Sequence, residues 1–197
     1  AAKGLQQLGV GPGVHVGLYL ANTPHYIVAF FAVLKAGGVV VNYSPLDAER
    51  VLEHKIEDSE TDLLVTLDFQ ALYPQMDRLL ATTRLKTLVV GTVGEMSAQP
   101  AGVTQQLRAA GQLSDVAWDA RHVSFASLLD NDGRYQPHDI GNPKEALAVL
   151  QEQMDVLHDM LHGVEYTDFR SKAWQLLPVV ANHVLGLEDG KKRFADN

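Results

Sequence analysis

Four short apolar runs alternate with helix-length segments across residues 14–90, and that alternation restricts the chain to very few architectures. The runs are VHVGLYL (14–20), GVVVN (38–42), LLVTL (63–67) and LKTLVV (85–90). Each is short, rich in β-branched residues and bounded by turn or cap signals, so each reads as a strand. Between the first two, Thr23 is a helix N-cap, Pro24 suits the first helical position, HYIVAFFAVLKA follows as an apolar helix, and Gly37 stops it. Ser44, Pro45 and Asp47 then open LDAERVLEHKIEDS, with Val51, Leu52 and Ile56 on its apolar face. A helix around residues 69–80 fills the next interval. Strands joined through helices pair in parallel, because the connection must cross a sheet face to return to the starting end. The expectation is α/β, a mainly parallel sheet flanked by helices, with GVVVN as a buried strand.

On either side of this block the signals are weaker. Residues 2–8 predict a short helix ended by Gly9, and GVGPG delivers the chain into the first strand as a turn. Gly9, Gly11 and Gly13 do not make a phosphate loop, since they precede a strand and include Pro12. Over residues 91–123 no period is sustained, and an irregular excursion with one short helix near 104–110 is expected. A short helix at 124–129 leads into a polar stretch holding Gly133, Pro137, Gly141 and Pro143, which reads as a boundary.

Past it the period changes. Asn142, Pro143 and Glu145 form a capping-box-like start. Leu147, Leu150, Met154, Leu157 and Leu161 then recur at steps of three and four up to Gly163, one apolar helical stripe. Further helices are expected over 167–177 and, beyond Pro178, to about 185. The organisation predicted is an α/β part over 1–141 and a small all-helical C-terminal element over 142–197.

Charge and composition narrow the partners. A formal net charge of -8 over 197 residues repels phosphate backbones and anionic lipid, so nucleic acid is not the expected partner. The absence of cysteine removes thiolate catalysis and Cys-based zinc sites and points to a cytoplasmic setting. The most apolar interval, 26–41, is broken by Lys35, Gly37 and Gly38, which argues against a membrane span. The first residue is not Met, as in a piece of a longer chain or a processed form.

Residues 8–68, from LGVGPG through SPLDAERVLEHKIEDSETDLLVTLD, closely resemble the N-terminal region of adenylate-forming long-chain fatty acyl-CoA synthetases, the AMP-binding family. The Asn-x-Pro start at Asn22 to Pro24, the FFAVLKAGGVVVN core and the helix after it carry the likeness, which continues more loosely to residue 150. It implies an ATP-dependent ligase that makes an acyl-adenylate from a fatty acid and passes the acyl group to CoA. In that family a strand near residue 150 runs into a Gly, Ser and Thr-rich phosphate loop; here QEQMDVLHDML follows. ATP, fatty acid and CoA are therefore implied by resemblance alone, no catalytic or cofactor-binding residue carries over, and the sheet is expected to be incomplete. Residues 143–197 resemble part of the C-terminal helical region of the R subunit of type I restriction enzymes, through MLHG...YTDF and LLPVVANHVLGLEDGKKRF. That region is implied to be an assembly element. The two likenesses overlap at PKEALAVL, so the chain reads as a composite.

Isolated chemical groups add little. His158 and His162 lie one turn apart beside Asp155 and Asp159, but without a third strong ligand they read as a solvated face, not a metal site. Lys191, Lys192 and Arg193 are diluted by Glu188 and Asp189. Trp118 and Trp174 read as packing residues or interface anchors, and Glu57 and Asp58 as a solvated pair. Three functions follow as expectations: a non-catalytic composite acting through a protein partner or self-association, a ligase piece completed by another chain, and an inhibitor or antitoxin-like protein docking the 147–161 stripe into a groove.

Overall fold

A computed structural model describes residues 1–138, which form the elements α1 (Ala2–Gln7), β1 (His15–Leu18), α2 (Pro24–Ala36), β2 (Val39–Asn42), α3 (Glu49–Asp58), β3 (Leu63–Leu67), α4 (Tyr73–Thr82), β4 (Thr87–Gly91), α5 (Pro100–Ala109), β5 (His122–Ser124) and a 3-10 turn (Phe125–Leu128). The five strands form one sheet in the order β2-β1-β3-β4-β5, and every pairing is parallel. Its register sets Val16 beside Leu63, Leu63 beside Thr87 and Leu88 beside His122. The predicted helix 143–162 with its stripe Leu147, Leu150, Met154, Leu157 and Leu161 lies outside the described residues, as do His158, His162, Trp174 and the Lys191 cluster.

The order reverses after β2. The chain leaves β1 for β2, crosses back over β1 to β3, and then continues outward to β4 and β5. Right-handed crossovers in opposite directions put their helices on opposite faces. Accordingly α1, α2 and the 3-10 turn pack together, and α3 packs with α4. With both faces covered, all five residues of β3 are buried.

Local chemistry explains how close the layers come. A Cβ on Gly17, in β1, would stand 2.7 Å from the Tyr43 ring and 3.0 Å from Leu64, so only glycine admits Tyr43 there. The buried Tyr43 hydroxyl shares hydrogen bonds of 2.7 Å with Ser59 Oγ and Thr61 Oγ1, which meets the polar requirement of its burial. Gly37 ends α2 in the left-handed conformation, φ 88°, with its amide donating to the Leu34 carbonyl.

Several local expectations are corrected. GVVVN is a strand, but it stands at one edge of the described sheet, and Val39 is 42% exposed. Thr23 occupies the N-cap of α2 without capping it, since its buried Oγ1 has no partner among the described residues. The helix expected from Asp47 begins at Glu49, and Val51 turns outward while Leu52 and Ile56 are buried. The excursion 91–123 holds α5, which has no buried residue, and the start of β5. Trp118 is 55% exposed, so it is not core. Glu57 accepts the Arg84 backbone N–H at 2.7 Å, a structural use that its polar neighbourhood did not suggest.

Residues 130–138 are irregular, as their turn-forming composition implies, yet they are fastened down. Lys3 pairs with Asp132 at 2.9 Å, the Gln6 side chain exchanges two hydrogen bonds with the Gln136 backbone, and Lys35 sits 5.5 Å from the centre of the Tyr135 ring.

Candidate functional site

In an open parallel sheet the place to look for chemistry is beyond the carboxyl ends of the strands, where adjacent connections diverge and leave a crevice. Here that position is between β1 and β3. The segments that leave these strands, together with the loop after α5, border an open cleft of about 540 Å³ lined by Ala21, Phe69, Gln70, Ala71, Leu72, Gly111 and Gln112. Its two walls are tied together. Gln70 N–H donates to the Gln112 carbonyl at 2.8 Å, Ser114 N–H to the Asp68 carbonyl at 2.8 Å, and Ser114 Oγ to Gln70 Oε1 at 2.7 Å.

Beside the cleft, three titratable groups converge from three connections. His25, in the first turn of α2, is 1% exposed and bonds through Nε2 to Glu95 Oε1 at 2.8 Å. Its ring meets Phe125 edge-on, with centroids 5.1 Å apart, and lies against Gly91, where a Cβ would approach Cδ2 to 2.8 Å. Glu95 also accepts the Thr92 backbone N–H at 3.2 Å. Asp68, just after β3, accepts the Val93 N–H at 3.0 Å. Burial pushes the Asp68 carboxyl above its usual range; the Val93 N–H works against this, and the nearby Glu95 charge adds to it.

A second constellation stands at β5. His122 is held on both ring nitrogens, by Asp119 Oδ1 at 2.7 Å on Nδ1 and Asp77 Oδ1 at 3.1 Å on Nε2, with the Tyr73 hydroxyl 3.3 Å from Nε2. The Asp119 carboxyl is held below its usual range, first by the bond from His122 and then by the Arg121 N–H. Tyr73 also accepts the Ala117 N–H at 3.1 Å, so these groups bind the 116–119 strand approach to α4.

His25 is 1% exposed, and its Nδ1 faces no partner among the described residues. His122 has both nitrogens engaged. Among the described residues no group of three His, Cys, Asp or Glu side chains is placed to hold a metal ion. Sequence reading missed all of these residues: His25 and Glu95 are 70 positions apart and Asp77 and His122 45, and Asp119 to His122, though only three apart, matches no recognised motif.

Backbone N–H groups at a helix start are one common cradle for phosphate. The three helices that leave β1, β3 and β4, namely α2, α4 and α5, each carry Pro in the first two positions. Each Pro removes one such donor. No Lys or Arg lines the cleft, and Asp68 stands next to its wall. The cleft itself thus offers a phosphate no cation among the described residues, and the position after residue 150 where the family carries its phosphate loop lies outside them.

The described residues thus define a doubly wound parallel α/β unit with its crevice at the strand reversal. The chain belongs to the AMP-binding enzyme family, whose model matches residues 1–151. A second model, the type I restriction enzyme HindI endonuclease subunit-like C-terminal family, matches residues 135–197, so the two overlap and the composite organisation is supported. Among curated relatives, a long-chain-fatty-acid–CoA ligase of Escherichia coli O157:H7 is 30% identical over 148 residues, 74% of this chain and 26% of that protein. The ligase of the same name from Bacillus subtilis (strain 168) is 28% identical over 103 residues, 52% of this chain and 18% of that one. The chain thus spans about a quarter or less of the length of these relatives. A solved coronafacic acid ligase from Pectobacterium brasiliense shares the fold, with a TM-score of 0.53 at 13% identity, over 71% of this chain and 24% of that one. Among the described residues no helix is long and apolar enough to cross a membrane.

Proposed function

We propose that the chain is a non-catalytic composite that works through protein–protein contact, in the cytoplasm, as its lack of cysteine suggests. The observation that carries this reading is in the sequence: QEQMDVLHDML stands where the family's Gly, Ser and Thr-rich phosphate loop would follow residue 150. The family overlap at 135–151 supports it, since ligase-like sequence gives way there to restriction-subunit-like sequence. Contact is assigned to the sequence stripe Leu147, Leu150, Met154, Leu157 and Leu161, a helix-in-groove pattern, with the β2 edge, unpaired among the described residues, as a route to self-association. ATP–pyrophosphate exchange by the purified chain should stay at background with fatty acids of any length, and exchange above background would overturn the reading. A partner captured by the intact chain should be lost with Leu157→Asp.

A second reading draws on the match to ligases over three quarters of the chain: a ligase portion that needs another polypeptide for its adenylation motifs. It requires a nucleotide or acyl chain to co-purify once that polypeptide is present.

A further inference from the structure

We propose that the cleft at the strand reversal is a binding site for a small, neutral aromatic molecule carrying a carbonyl or ring-nitrogen acceptor. Volume comes first: about 540 Å³ is within the range of small-molecule sites, far more than one ordered water needs. The position is where open parallel sheets place ligands, whatever their chemistry. Lining then selects the class. Ala21, Ala71 and Gly111 are small, Leu72 is apolar, and half-buried Phe69 supplies the one aromatic ring, so a flat ring gains offset stacking that an aliphatic chain does not.

Polarity is confined to Gln70 and Gln112. Because Ser114 Oγ holds Gln70 Oε1 at 2.7 Å, the Gln70 amide is fixed with its NH₂ as the remaining donor, and that NH₂ has no partner among the described residues. A donor of this kind asks for a neutral acceptor on the ligand. Carboxylates and phosphates are disfavoured by the absence of any lining cation, by Asp68 beside the wall and by the net charge of -8. The Gln70 to Gln112 and Ser114 to Asp68 backbone bonds, with the bridge between Phe69 and Leu113, hold the walls in place before any ligand arrives.

The test is an amide chemical-shift titration of the full chain with benzamide, alongside hexanamide and sodium benzoate. Benzamide should give saturable shifts confined to Ala21, residues 69–72 and residues 111–114, with half-saturation in the millimolar range expected of so small a ligand. Hexanamide and benzoate should each bind at least tenfold more weakly. Ala71 is exposed, so Ala71→Trp can fill the cleft without disturbing the core, and it should weaken benzamide at least tenfold while the remaining shifts keep their positions. Gln70→Leu should weaken it about threefold to tenfold, the loss of one neutral hydrogen bond. Shifts that never saturate, binding that survives Ala71→Trp, or hexanamide or benzoate matching benzamide would each overturn the proposal. None of these outcomes bears on pyrophosphate exchange, so this inference and the proposed function fail separately.

Discussion

Replacing Gly91 by Ala should destabilise the protein because of His25, and removing His25 should abolish the effect. Gly91 closes β4, and its added Cβ would stand 2.8 Å from His25 Cδ2, 3.1 Å from His25 Nε2 and 3.0 Å from Leu67 Cδ2. The Leu67 methyl can rotate away. The His25 ring cannot, being gripped by Glu95 at 2.8 Å and packed edge-on against Phe125. Overpacking of this kind costs about 1–3 kcal/mol. Against it, Ala in place of a strand glycine recovers roughly 0.5–1 kcal/mol of backbone entropy. Gly91→Ala alone is therefore expected to cost about 1–2 kcal/mol, read as a lower urea midpoint at unchanged slope. In a His25→Ala background the obstruction is gone, and the same change should be neutral or stabilise by up to about 1 kcal/mol. The coupling across the double-mutant cycle should then be about 1–3 kcal/mol, beyond the roughly 0.5 kcal/mol scatter of independent sites. Costs that simply add would refute the view that His25 is the immovable wall.

Two other perturbations test the titratable groups. Because burial raises the Asp68 carboxyl, the folded chain keeps that proton to a higher pH than the unfolded chain; the resulting stability is complete below the unfolded value and is lost as pH rises through the folded one. Asp68→Asn keeps an acceptor for the Val93 N–H, so it should be at least as stable as the parent at pH 7 and should flatten the decline in urea midpoint between mildly acidic and neutral pH; a clear loss at pH 7 would contradict this. His122→Ala removes the contacts that hold Asp119 and Asp77 to β5 and should cost about 2–3 kcal/mol, with amide exchange accelerated first at residues 116–121.

The strands that could be seen in the sequence are those whose apolar content is decided locally. LLVTL reads as a strand and is one, with all five residues buried because helices cover both faces of the sheet there. GVVVN has a similar composition and lies at the edge, since its place depends on a reversal of strand order that no local pattern encodes. At β5 the sequence His122–Ser124 offers no apolar run at all. Its His122 is buried only because Asp77, 45 positions earlier, and Asp119 supply partners. The switch-point cleft was invisible for the same reason: Ala21, Phe69 and Gly111 meet through topology, and alone each is an ordinary loop residue.

Family membership and family chemistry therefore rest on different residues in this chain. Membership is carried by the sheet and its helices, whose apolar spacing survives many substitutions because volume and pattern are enough to keep a core. Chemistry at the crevice depends on single backbone groups. Pro24, Pro74 and Pro100 are compatible with the fold, since proline is pre-organised for the first turn of a helix, yet each deletes a donor that an anion would need. The cleft, lined by Ala21, Phe69, Ala71, Leu72 and Gly111 with two glutamines and no cation, can therefore differ in chemistry from the rest of the family without any change in the sheet that carries membership.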